Sequence, residues 1–256
     1  QAMIVLLVAH ELAHEWFGNL VTMQWWHDLW LNEAFATFME QKVTAHVFGD
    51  EFGQVQNYEW LETDYFPQDH GPLSHPIVIK RADTVDELFD GITYAKGVQV
   101  VRMIEQFVGE VNFQRGIQQY LQSHAFRNAS TADFLQAIEQ MSGVSLSHFA
   151  KKWLHQTGYP KLDVSSRWDE ELHQLTIDVV QNGRVFVGVL PAEFQFGDAS
   201  QRVEMNLAAS RDTFTFDLPR KPGRVRINPE GTFLTQVVGE HAPNFQEILR
   251  DGSMAQ

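Results

Sequence analysis

His10 and His14 lie four residues apart, and Glu11 adjoins the first of them. On a helix, side chains four apart stack on one face, and two imidazoles so placed can bind one metal ion at about 2.0–2.1 Å each. Glu11 then lies about 100° round the helix from His10. There it flanks the metal position and can reach a bound water without being a ligand, which is the geometry a general base needs. The pattern H-E-x-x-H on a helix is a metallopeptidase signature. Glu33 follows His14 after eighteen intervening residues and offers a third ligand. Three protein ligands leave a tetrahedral ion one position for water, which marks a catalytic rather than a structural site.

Two helices must hold these groups. The run Met3 to Ala9 is apolar, so a first helix over residues 2–17, ended by Gly18-Asn19, is expected in the core, where two His and a Glu need partners. A second is expected over 31–47. On it Glu33, Thr37 and Glu40 are spaced i, i+4, i+7 and share a face, which makes Thr37 and Glu40 candidates for orienting the ligands; Glu40 could equally be helix surface. Phe35, Phe38 and Met39 point elsewhere into the core. Trp25, Trp26 and Trp30 in the connection are expected to pack around the site. Residues 50–90 carry Pro67, Gly71, Pro72 and Pro76 as breakers. His70 and His75 there are either site residues or loop polarity.

Residues 8–23, with His10-Glu11-Leu12-Ala13-His14-Glu15-Trp16-Phe17-Gly18-Asn19 at their centre, and Trp25-Trp26-His27-Asp28-Leu29-Trp30-Leu31-Asn32-Glu33 resemble the aminopeptidase N family of gluzincin zinc metallopeptidases. Ala34 stands where many members have Gly. The resemblance implies one Zn2+ per chain held by His10, His14 and Glu33, with Glu11 as base. Phe89-Asp90-Gly91-Ile92-Thr93-Tyr94-Ala95-Lys96-Gly97 is similar to the family's Asp-x-Ile-x-Tyr-x-Lys-Gly motif, whose Tyr donates to the oxyanion. That role is carried to Tyr94, and none to Lys96. Ser74-His75-Pro76-Ile77 resembles a segment that passes near the active site. The implied function is hydrolysis of the N-terminal peptide bond of peptides with a free N-terminus. Two alternatives stand beside it: a leukotriene-hydrolase-like epoxide hydrolase, and a non-catalytic interaction module stabilised by zinc. Structural zinc needs neither Glu11 nor Tyr94, which argues against the module.

The family's Gly-x-Met-Glu-Asn motif, which anchors the substrate amine, does not occur in these 256 residues. The chain is therefore expected to be part of a longer protein, with further N- and C-terminal domains, and weakly active or inactive by itself. Apolar content of 44% is ample for a core. Cysteine is absent, which excludes disulfides and Cys-based zinc sites. The net charge of −14 argues against nucleic acid or an anionic membrane as partner, and no run of eighteen apolar residues marks a membrane segment.

Beyond the site, helices are expected over about 95–108, 110–124, 131–142 and 145–157. Ser130-Thr131-Ala132-Asp133 marks the start of the third, and Gly158 then Pro160 follow the last. After Pro160 apolar residues alternate, as in Leu175-x-Ile177-x-Val179, and candidate strands recur at 162–164, 172–179, 184–189, 192–196, 202–207, 213–218 and 224–228. The expected fold is α+β: the helical half of a thermolysin-like (gluzincin) catalytic domain over 1–159, then a small β-sandwich over 160–240. Residues 241–256 read as a tail leading into an absent C-terminal domain. The resemblance extends into the β half through Ile227-Asn228-Pro229-Glu230-Gly231.

Overall fold

The computed structural model describes residues 2–79, 84–239 and 241; the expected tail lies outside them apart from His241. The chain divides into two compact units, with the break between Gly158 and Tyr159. Helices fill the first and strands the second, an α+β fold.

In the first unit α1 (Ala2–Ala13) packs on α2 (Trp30–Phe48). α1 is shorter than expected. Past Ala13 the amides of Glu15 and Trp16 bond three residues back, to Leu12 and Ala13, so the last turn tightens and the chain reverses at Gly18. The apolar run was expected to place this helix in the core. Instead Met3, Ile4, Leu7, Val8 and Leu12 are at least half exposed and Ala13 alone is fully buried. The residues are apolar all round the helix, but α2 is its main packing partner.

After Gly18 the chain forms β1 (Val21–Met23), which pairs in parallel with β2 (Arg127–Ala129). Trp30 is fully buried and donates from Nε1 to Thr131 Oγ1 at 2.9 Å. The expectation that Trp25 packs likewise fails, since it is 64% exposed, whereas Trp26, 37% exposed, meets the Phe89 ring edge-on at 6.4 Å. Both belong to the stretch just before α2, and Trp30 is the first residue of the three that lies on the helix. Met39 is likewise part exposed, unlike Phe35 and Phe38.

α3 (Asp50–Trp60), a five-residue π turn over Leu61–Tyr65 and α4 (Phe66–Asp69) occupy much of a stretch that reads as irregular in sequence. A second π turn, Ile92–Lys96, leads into α5 (Gly97–Val108). α6 (Glu110–Ser123), α7 (Thr131–Ser142) and the short α8 (Ser147–Trp153) complete the unit. α7 starts where its signal stands: Ser130 and Asp133 form a capping box, and Gly143 ends it in the left-handed conformation at φ 70°. An aromatic cluster underlies the site. Phe35 stacks on Phe17 at 4.7 Å and meets Phe134 of α7 at 5.0 Å, and Phe134 meets Tyr120 of α6 at 5.7 Å. Each ring so buried contributes about 1.5–3 kcal/mol, so α2 is held from below by the elements that carry no site residue.

The second unit holds two sheets, ordered β7-β4-β3-β9 and β6-β5-β8. Their strands are β3 (Lys161–Asp169), β4 (Gln174–Gln181), β5 (Gly188–Phe196), β6 (Ala199–Leu207), β7 (Arg211–Asp217), β8 (Arg224–Ile227) and β9 (Gln236–Val238). The alternation predicted for β4 is seen: Leu175, Ile177 and Val179 are buried and the residues between them are not. Phe194 of β5 meets Phe216 of β7 at 5.0 Å, which joins the sheets through a common core. Of the strand expected over 184–189 only Gly188 and Val189 are extended, and they join the one expected over 192–196 in a single strand, β5, running through Pro191. Pairing with β8 covers Ala192–Gln195, so Pro191 lies beyond that ladder and its missing N–H interrupts nothing there. Asn228 adopts φ 52° and clips Phe233 through both ends of its amide, a structural use of the Asn228-Pro229 stretch. No described helix is long and apolar enough to cross a membrane.

Candidate metal centre

His10 lies in the last turn of α1. His14 lies just beyond its end, but its amide still bonds His10 O at 3.3 Å, so the two rings stay one turn apart with centroids 4.8 Å from each other. Glu33 sits in the first turn of α2, where a carboxylate faces the positive end of the helix dipole. His10 Nε2 is 3.4 Å and His14 Nε2 3.6 Å from the same Glu33 Oε2. The other ring nitrogens are held from behind: His10 Nδ1 is 3.1 Å from Glu40 Oε2, and His14 Nδ1 donates to Phe17 O at 3.0 Å. With Nδ1 committed to those partners, Nε2 is the atom left to face the centre. Among the described residues this is the one His, Asp or Glu cluster whose ligand atoms all lie within 4.8 Å of one another.

Of the two residues expected to orient ligands, Glu40 does so and Thr37 does not. Thr37 is fully buried on the same face, but its Oγ1 has no hydrogen-bond partner.

The charges are strongly coupled. Burial disfavours the His10 imidazolium, but Glu33 and Glu40 outweigh it and lift His10 to about 9. Glu33 raises His14 in the same sense against its own burial. Burial opposes the Glu33 carboxylate, yet contacts with His10, His14 and the Tyr94 hydroxyl hold it down at about 2. Glu33 thus sets a negative charge beside both rings, and Glu40 a second one beside His10.

Tyr94 is half-buried in the π turn before α5, its ring nearly parallel to His10 at 6.2 Å. Burial, then the negative charges of Glu33 and Glu11, hold its hydroxyl well above the ordinary value, so it remains a donor at neutral pH. Glu11 is exposed on α1, close enough for its charge to act on that hydroxyl. His70 Nδ1 bonds Phe66 O. His75 pairs with Asp90 at 2.7 Å, ahead of Tyr94. Sequence reasoning gave Asp90 no role. Its signals were its place as the first residue of the Asp-x-Ile-x-Tyr-x-Lys-Gly resemblance and an acidic residue four before Tyr94, at the start of a turn.

Residues 1–153 match the family described as Peptidase family M1 domain. The chain belongs to the M1 peptidase family. Among its relatives, this M1 chain is 36% identical over 233 residues to a leucyl aminopeptidase of Saccharolobus solfataricus, covering 89% of this chain and 29% of that protein. It is 42% identical over 169 residues to glutamyl aminopeptidase of Homo sapiens, covering 64% and 18%. In fold it resembles the crystal structure of Legionella pneumophila aminopeptidase A in complex with aspartic acid. The TM-score is 0.77 at 20% identity, over 95% of this chain and 28% of that one. The M1 chain therefore spans less than a third of each of these proteins.

Proposed function

We propose that this chain carries the zinc-binding and catalytic residues of an aminopeptidase, with His10, His14 and Glu33 as ligands, Glu11 as general base and Tyr94 as oxyanion donor. The observation that carries it is the convergence of His10 Nε2 and His14 Nε2 on Glu33 Oε2 at 3.4 and 3.6 Å. A tetrahedral ion bound at about 2.0–2.1 Å holds its ligand atoms about 3.3–3.4 Å apart, so the donor types fit zinc and both histidine–carboxylate separations come close to that spacing. The relatives named as aminopeptidases support the reaction class.

Zinc in this position supplies Lewis acidity and a more acidic water. The chain's own groups do the rest. Glu11, exposed at the rim, takes the proton of the attacking water and passes it to the leaving amine. Tyr94 keeps its proton and donates it as a hydrogen bond to the carbonyl oxygen as charge develops there. Glu40 and Phe17 O hold the two imidazoles so that they need not reorganise during the reaction. Water attacks the carbonyl directly and no acyl-enzyme forms. A purely structural zinc would need neither a carboxylate nor a phenol beside its ligands.

Elemental analysis of the chain should give about one zinc, and His14→Ala should abolish it. In the full-length polypeptide, Glu11→Gln should keep the zinc and lose nearly all hydrolysis of an aminoacyl-anilide. Stoichiometric zinc in His14→Ala would sink the ligand set. Unchanged turnover in Glu11→Gln would sink the base.

A further inference from the structure

We propose that Asp90, locked by His75 and Gln68, is a positioning residue that presents the Tyr94 hydroxyl to the reacting carbonyl; this rests on the reading of Tyr94 as oxyanion donor. The turn that carries Tyr94 bonds as Lys96 N to Gly91 O at 3.0 Å, five residues back. Such π turns are rare and recur at functional sites. The turn has amides at its start that no residue of the turn can satisfy. Asp90 satisfies two of them: its Oδ1 accepts from Ile92 N at 3.0 Å and from Thr93 N at 2.9 Å. Its Oδ2 accepts from His75 Nε2 at 2.7 Å and from Gln68 Nε2. Gln68 Oε1 in turn accepts from Gly91 N at 3.1 Å. His75 Nδ1 faces Pro76 O at 2.7 Å, so both ring nitrogens face acceptors and the ring is held as a cation against the carboxylate. Each Asp90 oxygen therefore carries two bonds, and the carboxylate cannot rotate without breaking some of them.

The far end of the turn is fixed by other means. Lys96 is fully buried, its Nζ 3.0 Å from Gly158 O and 3.7 Å from Asp69 Oδ2. A Cβ on Gly97 would lie 2.7 Å from Cβ of Ala34, the residue after Glu33. That end is anchored to the ligand helix and leaves no slack. The His75–Asp90 pair is partly exposed. Loss of the pair should therefore leave the fold and the zinc ligands in place and free only the first half of the turn, with Tyr94 in it. A displacement of about 1 Å at a reacting group can cost on the order of a hundredfold in rate.

The test uses the zinc-loaded full-length polypeptide. Asp90→Ala, Asp90→Asn and His75→Gln are each made alone and together with Tyr94→Phe. Alone, Asp90→Ala should lower kcat by about tenfold or more and leave KM nearly unchanged. Asp90→Asn, which keeps an acceptor for the two amides, and His75→Gln should cost less. In the Tyr94→Phe background each should cost less than about twofold, because the group being positioned is gone, while the shift in Tm is the same in both backgrounds. Amide exchange at Ile92 and Thr93 should quicken in Asp90→Ala while α5 stays protected. Equal kcat losses in both backgrounds would overturn the proposal, since a merely structural role does not depend on the phenol. So would faster exchange with unchanged kcat. If Tyr94→Phe by itself leaves kcat unchanged, the oxyanion reading fails and the positioning role falls with it. That single variant separates the two failures. Should Asp90→Ala not fold, the near-isosteric Asp90→Asn carries the same comparison.

Discussion

α1 and α2 place the three proposed ligands by regular helical spacing, whereas residues 90–97 place Tyr94 by an irregular turn clamped at both ends. In the first region the backbone itself sets the geometry. His10 and His14 are one turn apart, Glu33 and Glu40 are two turns apart on the facing helix, and Glu40 closes the pattern on His10. In the second, three side chains and two close approaches do the same work. Asp90, His75 and Gln68 hold the front, Lys96 with Asp69 and Gly97 against Ala34 hold the back. The difference follows from what each group must do. A ligand can be drawn into place by the ion it binds. A hydroxyl that acts on charge present only in the transition state must already be in place.

The largest effect that would test this contrast is at Tyr94. In the full-length polypeptide Tyr94→Phe should cost about 2.7–4 kcal/mol of transition-state stabilisation. The loss should fall on kcat with zinc content unchanged. A variant that loses zinc as well would show that the two regions are one unit and break the comparison.

The two regions differ equally in how far sequence alone exposes them. His10, Glu11, His14 and Glu33 are legible because spacing along a helix translates directly into a shared face. The front clamp joins Asp90 to residues 15 and 22 positions earlier. The back clamp joins Lys96 to residues 60 and 62 positions later. No local period signals such pairs, and a five-residue hydrogen-bond step has no apolar pattern of its own. The apolar run of α1 misleads for a related reason. Composition shows that a helix can be buried but not which faces find a partner, and half of this one's residues stay exposed. In the β half, alternation reveals β4 and hides β9, whose three residues are too few to alternate.

A smaller effect is expected where the two regions touch. Gly97→Ala would place a methyl 2.7 Å from Ala34 Cβ, inside a packed contact. Overpacking of this kind costs about 1–3 kcal/mol, readable as a lowered denaturant midpoint. If the ligands are set by α1 and α2 alone, the variant keeps its zinc and slows turnover, because the turn and not the ligand helix gives way. Zinc loss in Gly97→Ala would show that Ala34 and Glu33 move instead.

The smallest effect is the pH dependence of the front clamp. Burial disfavours the charged form of His75, but Asp90 and the Pro76 carbonyl outweigh it and hold His75 above its ordinary 6.5. Its contribution to stability is therefore fully present below pH 6.5 and lost as pH rises through the raised folded value. Burial likewise opposes the Asp90 carboxylate, but His75, the Thr93 amide and Gln68 hold it below 3.8. Its contribution is present above pH 3.8 and lost as pH falls through the lowered folded value. The clamp is thus at full strength between 3.8 and 6.5 and weakens on both sides. His10 and His14 also titrate in a zinc-free chain, so the useful quantity is a difference: the denaturation midpoint of the zinc-loaded protein minus that of His75→Gln, followed across pH. Both proteins share the ligand site, and its titration cancels. The difference should be greatest in the window and shrink as pH rises past the folded value of His75. A difference that grows with rising pH would mean that His75 is held neutral, with one nitrogen accepting rather than donating. The cation that locks Asp90 would then be absent, and the front of the turn would rest on Gln68 and on the Ile92 and Thr93 amides alone.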